Sequence, residues 1–187
     1  MRSCSVLATL SFALSLSLAT AAQEKAGDRT VSLGEGKLTL TAPEGWTKKQ
    51  PTSRIVEAEL ATPPAKGDET PGRLTAMGAG GSVEDNINRW AAQFAGEGGA
   101  AAKPKLDKLN VGGAEVQIVD LGGTYKDTPG GPFAGGKTVM RENYRMLGAI
   151  IQTKDAGNYF LKLYGPKTTI GEAEKGFHDM VKSLKVK

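Results

Sequence analysis

Cysteine and histidine are almost missing from these 187 residues, with Cys4 and His178 their sole representatives. Cys4 stands near the N-terminus, so the rest of the chain has no disulfide and no thiolate nucleophile, and its stability must come from a packed core. One histidine falls short of the several His or Cys ligands that zinc and copper sites use. A D-x-D-x-D-G loop for calcium is missing as well. On these grounds no metal and no cofactor are expected. The serine-hydrolase elbow G-x-S-x-G is also absent. Asp120, Asp127 and Asp155 are acids that no spacing pairs, and His178, near Lys175 and Lys182 by helical angle, has no visible orienting partner. No catalytic residue is assigned.

Aromatic residues make up only 6% of the chain, and the net charge is +4 with the lysines scattered. A nucleic-acid surface wants a basic face with interleaved aromatics, so nucleic acid is not an expected partner. The one long apolar run, Val6 to Leu18, is shorter than the ~20 residues of a spanning helix. It follows Arg2 and precedes Ala19-Thr20-Ala21, the order of a secretory signal peptide over residues 1–22, cleaved after Ala21 or Ala22. Cys4 lies before the run, the wrong side for lipid attachment. The expectation is export to the periplasm or the extracellular space, with no membrane span after cleavage. Residues 23–29 are polar and aperiodic and read as a flexible lead. Residues 30–187 read as a single domain, long enough to bury about two-thirds of the unfolded chain's surface.

What is present is a run of hairpins and two helices. TVSL and KLTLT flank Gly34-Glu35-Gly36, whose glycines suit a tight turn, and KLDKLNV and AEVQIVDL flank Gly112-Gly113. RIVEAELAT alternates as a third strand, a loop with three prolines follows it, and RLTAMGA returns. SVEDNINRWAAQF places Val83, Ile87, Trp90, Ala91 and Phe94 on one helical stripe, with Ser82 and Asp85 as a capping box. NYRMLGAIIQTKDAGNYFLKLYG reads as two strands joined at 155–158. A last helix is predicted from Thr169 to Leu184, capped by Thr169 and Glu172. Hairpins outnumber crossovers, so the predicted fold is α+β: an antiparallel sheet with two main helices packed on it.

GPFAGGKT, residues 131–138, matches the phosphate-loop pattern G-x-x-x-x-G-K-[ST]. A working phosphate loop runs from a strand end into a helix that starts at the Lys-Thr pair. Here turn residues Lys126 to Gly130 precede it. Downstream, Met140, Tyr144, Leu147 and Ile151 fit a helical stripe while Gly148 and Ile150-Ile151 fit a strand, and both readings stay open. No apolar run ending in a magnesium-binding Asp follows, so nucleotide binding is not expected. Residues 129–136 read instead as a Gly- and Pro-rich surface loop able to approach a ligand, a partner or the adjacent helix.

PEGW after the opening hairpin, GGSVEDNINRW leading into the first helix, YRMLGAII, YFLKLYGP and the terminal helix form a recognisable series. It resembles a group of uncharacterised exported bacterial proteins with a GG-x4-N-x-N-R-W motif and a PsbP/Mog1-like α/β/α sandwich fold, over most of residues 30–187. The resemblance implies an antiparallel sheet with helices against it, in a superfamily used for assembly and binding rather than catalysis. It brings no catalytic residues to carry over.

Asn86, Arg89 and Gln93 form one polar row on the first helix, and with Phe133 of the Gly-rich loop they make the candidate recognition surface. Arg89 suits a bidentate grip on carboxylate or phosphate. The competing reading has the row bonding nearby loop backbone, and Trp90 reads as core. The expected role is a non-enzymatic binding or assembly-accessory domain for an envelope protein or component. The rival is a small-ligand carrier or hydrolase using a pocket beside loop 129–136. A concave apolar pocket with convergent polar groups marks the rival, whereas a flat face marks a binding module.

Overall fold

The computed structural model describes residues 29–128 and 137–187. Residues 1–22, read above as a signal peptide, nearly all of the expected lead, and residues 129–136 with Phe133, read above as a surface loop, lie outside the described residues. In chain order the elements are β1 (Thr30–Leu33), β2 (Leu38–Thr41), β3 (Thr47–Lys49), β4 (Ala58–Ala61), β5 (Arg73–Gly78), α1 (Val83–Ala92) and β6 (Phe94–Ala95). After a short 3-10 turn come β7 (Lys105–Val111), β8 (Ala114–Asp127), β9 (Val139–Gln152), β10 (Asn158–Pro166), α2 (Lys167–Lys182) and β11 (Lys185–Val186). The large sheet runs β3-β4-β5-β10-β9-β8-β6, with β7 also paired to β8, and β1-β2-β11 form a small sheet. All of these pairings are antiparallel. The fold is α+β, with two helices packed on a large antiparallel sheet, as the hairpin count implied.

Alternation along the strands divides the core in two. Leu147, Ala149 and Ile151 of β9 join Leu161 and Leu163 of β10 on one face, under Phe177 and Val181 of α2 and the small sheet's Leu33, Leu38 and Leu40. Met146 and Ile150 of β9 and Phe160 of β10 point the other way, to Ile87 and Trp90 of α1. Trp90 stands edge-on to Phe160 with ring centroids 6.1 Å apart. It also lies over Gly148, where an added Cβ would fall 2.4 Å from the indole. Gly148 is therefore the flat spot in β9 on which the indole rests.

Local signals placed several elements. Gly34, Glu35 and Gly36 have φ of 58°, 55° and 88°, the left-handed values of the expected turn between β1 and β2. Ser82 caps α1 by accepting from Asp85 N at 3.0 Å, and its hydroxyl donates to the Asp85 carboxylate at 2.7 Å. Residues 139–152 are a strand, which closes the helical alternative for Met140 to Ile151 and leaves Lys137-Thr138 without the helix a phosphate loop requires.

Two expectations need correction. The third strand starts at Ala58 rather than Arg54, because 54–55 form a turn that leaves Ile55 69% exposed. The last helix starts at Lys167, two residues early, and the Thr169–Glu172 box does not form. Thr169 is instead buried and bound to a distant loop. Its hydroxyl donates to Asp68 Oδ2 at 2.7 Å and accepts from Ala65 N at 3.0 Å, while its amide donates to the same Asp68 oxygen at 3.0 Å. An acceptor from a proline-rich loop thus satisfies an amide that the helix cannot satisfy internally.

Candidate functional site

On the α1 side of the large sheet the register aligns Glu59, Thr75, Lys162 and Gly148 across four strands. The next row of that face holds Ala61, Arg73, Tyr164 and Met146. Trp90 covers the Gly148 end, so Glu59, Arg73, Lys162 and Tyr164 lie beyond the helix and remain half-buried. A bulge between Gly123 and Tyr125 adds a third tyrosine-bearing segment. Gly123, at φ 143°, crosses there so close to Ala95 O that a Cβ would sit 2.2 Å from it.

The result is a strip in which three of the chain's four tyrosines meet. The Tyr125 ring lies 5.2 Å from Tyr164 and 6.0 Å from Tyr144, parallel to the latter within 6°. Lys162 Nζ sits 5.1 Å and 4.9 Å from the centroids of Tyr125 and Tyr164, a cation between two π faces. It donates to Gln93 Oε1 at 2.5 Å and to the Tyr125 hydroxyl at 3.4 Å. Arg73 grips Glu59 through Nε and Nη2, both at 2.8 Å, and its Nη1 donates to the Tyr164 hydroxyl at 2.9 Å. Arg141 donates to Asp127 at 2.6 Å and lies over Tyr144.

The electrostatics follow from these contacts. Burial, and then the charge of Arg73, push the Lys162 ammonium from 10.5 down to about 8, against a smaller opposing pull from Asp127. Burial pushes the Tyr125 phenol up, so it stays protonated while accepting from Lys162. The hydrogen bond from Arg73 holds Glu59 below the usual carboxylate range. An amine that titrates near neutrality is a candidate base or nucleophile. Its geometry here is that of a held cation, bonded to an amide oxygen and walled by rings.

The predicted recognition row is divided. Asn86 is 2% exposed and donates to Ser82 O at 2.8 Å and Gly80 O at 3.4 Å, tying down the glycine turn before α1. Arg89 is exposed and donates to Asn86 Oδ1. Gln93, at the C-cap of α1, is the member that enters the strip, through Lys162. Phe133 lies outside the described residues, although β8 and β9, which carry Asp127 and Arg141, lead into and out of its loop. Thr128 and Thr138 hydroxyls meet at 3.2 Å across the neck. Sequence reasoning missed Lys162, Tyr125, Tyr144, Tyr164 and Arg73. The available signal was Lys162 itself, a lysine in the middle of the apolar strand YFLKLY.

Two grooves flank α2, and the larger meets the strip at Tyr144. One of about 1200 Å³ runs between the first turns of α2 and the β8–β9 pair, lined by Lys103, Lys105, Glu142, Asn143, Lys167 and Glu172 among others. Arg145 walls it, gripping Asp120 through two bonds of 2.9 and 3.0 Å and Glu174 at 2.8 Å. No Ser, Cys or His lines it. A smaller groove of about 380 Å³ lies between Trp46, Pro63, Pro64 and α2. Among the described residues no cluster of three or more His, Cys, Asp or Glu is placed to hold a metal ion, and no helix is long and apolar enough to cross a membrane.

These features define a PsbP-like α+β fold. The chain superposes on cyanobacterial PsbP (CyanoP) from Synechocystis with a TM-score of 0.52 at 11% identity, covering 84% of this chain and 91% of that one. It superposes on LpqN of Mycobacterium tuberculosis, a protein involved in cell envelope biogenesis, with a TM-score of 0.51 at 13% identity, covering 84% and 88%. At such identities the likeness is one of fold. No protein-family model matches the sequence. None of the curated proteins matches it either.

Proposed function

We propose that the chain is an exported, non-enzymatic binding or assembly-accessory domain, which engages an envelope protein through the tyrosine–cation strip on the α1 side of the sheet. The observation that supports it is concentration. A chain with 6% aromatics gathers three of its four tyrosines with Arg73, Lys162 and Arg141 in one strip, where Tyr125 and Tyr144 are buried and Tyr164 and the three cations are half-buried. Tyr and Arg are the residues that dominate binding energy at protein interfaces, because they offer large contact area together with directed polar groups. The signal-peptide order of residues 1–22 supports export, and the envelope role of LpqN is consistent with such a partner. On this reading residues 30–187 act as one domain.

The test is capture of partners from the native envelope by the protein, by Tyr164→Ala and by Lys105→Ala, each first shown folded by its melting curve. Loss of one defined partner with Tyr164→Ala alone is the expected result. Loss with Lys105→Ala alone would turn the assignment to the 1200 Å³ groove. That groove is the observation favouring the second reading, a small-ligand carrier or hydrolase.

A further inference from the structure

The strip is unevenly compensated. Arg73 and Arg141 each hold a carboxylate, Glu59 and Asp127, whereas both bonds of Lys162 run to neutral oxygens, the Gln93 amide and the Tyr125 hydroxyl. An ammonium carries three donors, and among the described residues the third has no partner. Counting the five charged groups leaves one positive charge in excess, and Lys126 at the rim, bonded to Ala92 O, adds another. A carboxylate placed at the free donor would offset both the burial of Lys162 and its repulsion from Arg73, and charge-assisted bonds are the stronger ones.

Shape selects the kind of carboxylate. Neither groove is lined by Lys162, Arg73 or Tyr164. Sites for small ligands enclose most of the ligand's surface, and neither of these two grooves offers Lys162 such an enclosure. A polypeptide laid across the strip gains the rings of Tyr164 and the half-exposed guanidinium of Arg73 as well as Lys162. We infer that the strip is a docking surface for an acidic segment of a partner protein, with one Asp or Glu carboxylate seated on Lys162 between Tyr125 and Tyr164. The inference rests on the binding role proposed above and adds the chemistry of the partner.

The experiment is a heteronuclear NMR titration of the protein with a blocked dodecapeptide of alternating Glu and Ser, its Gln–Ser counterpart, and acetate at equal carboxylate concentration. Saturable shifts of the Tyr125, Lys162 and Tyr164 amides are expected, with the Glu peptide at least tenfold tighter than the Gln peptide or acetate. Lys162→Met, which removes a costly charge and so keeps the fold, should weaken the Glu peptide at least tenfold, and Lys162→Arg should restore part of the loss. Equal binding of Glu and Gln peptides, equal binding of acetate, shifts centred on Lys103 and Lys105, no saturable shift at millimolar peptide, or wild-type affinity in Lys162→Met would each overturn it. Partner capture that fails with Tyr164→Ala and survives Lys162→Met would overturn the acidic-segment inference and leave the binding role standing.

Discussion

The two faces of the large sheet are closed by different means. On one, α2 and the small sheet set Phe177, Val181, Leu33 and Leu38, none more than 1% exposed, against the aliphatic rows of β9 and β10. On the other, a ten-residue helix seats one indole on one glycine, and the remaining width is filled by tyrosine, lysine and arginine–glutamate contacts. Apolar burial stabilises without direction, while a polar face must satisfy each group by geometry. The first face is suited to holding the fold together. The second keeps polar atoms within reach of solvent.

Replacing the central aromatic of each face probes this contrast most strongly. Phe177→Ala and Trp90→Ala should each cost about 3–5 kcal/mol, with Phe177 at the upper end because its surroundings are complete on all sides. Urea melts give both values. A Trp90→Ala cost below about 1 kcal/mol would make α1 a removable cover rather than a core layer. Gly148→Ala should cost about 1–3 kcal/mol, because the added methyl meets the indole face. In Trp90→Ala the same change should become nearly neutral, and a double-mutant cycle reads that coupling.

Lys162→Met carries the opposite sign. The folded pKa lies near 8, below the 10.5 of a free lysine, so between those values the unfolded chain holds more protons than the folded one. Stability therefore rises with pH across that window, and the penalty is full below pH 8. The substitution should stabilise by about 1–2 kcal/mol at pH 7, with a gain that fades towards pH 10.5. Denaturation at the two pH values checks it, and a pH-independent gain would assign the effect to packing. The smallest effect is expected for Arg89→Ala, within about 0.5 kcal/mol by the same melts, because the side chain is exposed and its bond runs to an Asn86 already held by backbone.

How far the sequence revealed this depends on the reach of each contact. Gly34-Glu35-Gly36 and Ser82–Asp85 were legible because turn and cap are decided within four residues. Thr169 was misread for the converse reason: its partners, Ala65 and Asp68, are more than a hundred residues away, and no local pattern shows that they claim its hydroxyl. Gly148 pointed to a strand, but its role as a seat for Trp90 needed the crossing of α1 over β9. The strip was illegible as a site because β8, β9 and β10 each contribute one tyrosine, and only the register and the bulge after Gly123 bring them together.

The clasp between Asp68 and Thr169 reaches beyond the resting fold. Its partners are 101 residues apart in sequence, so it joins the proline-rich loop before β5 to the opening turn of α2. Loosening of that loop is therefore expected to loosen the opening turn of α2 with it. Their amide protons are expected to exchange with solvent at a common rate, which native-state hydrogen exchange measures, and unequal rates would show that the clasp does not couple them.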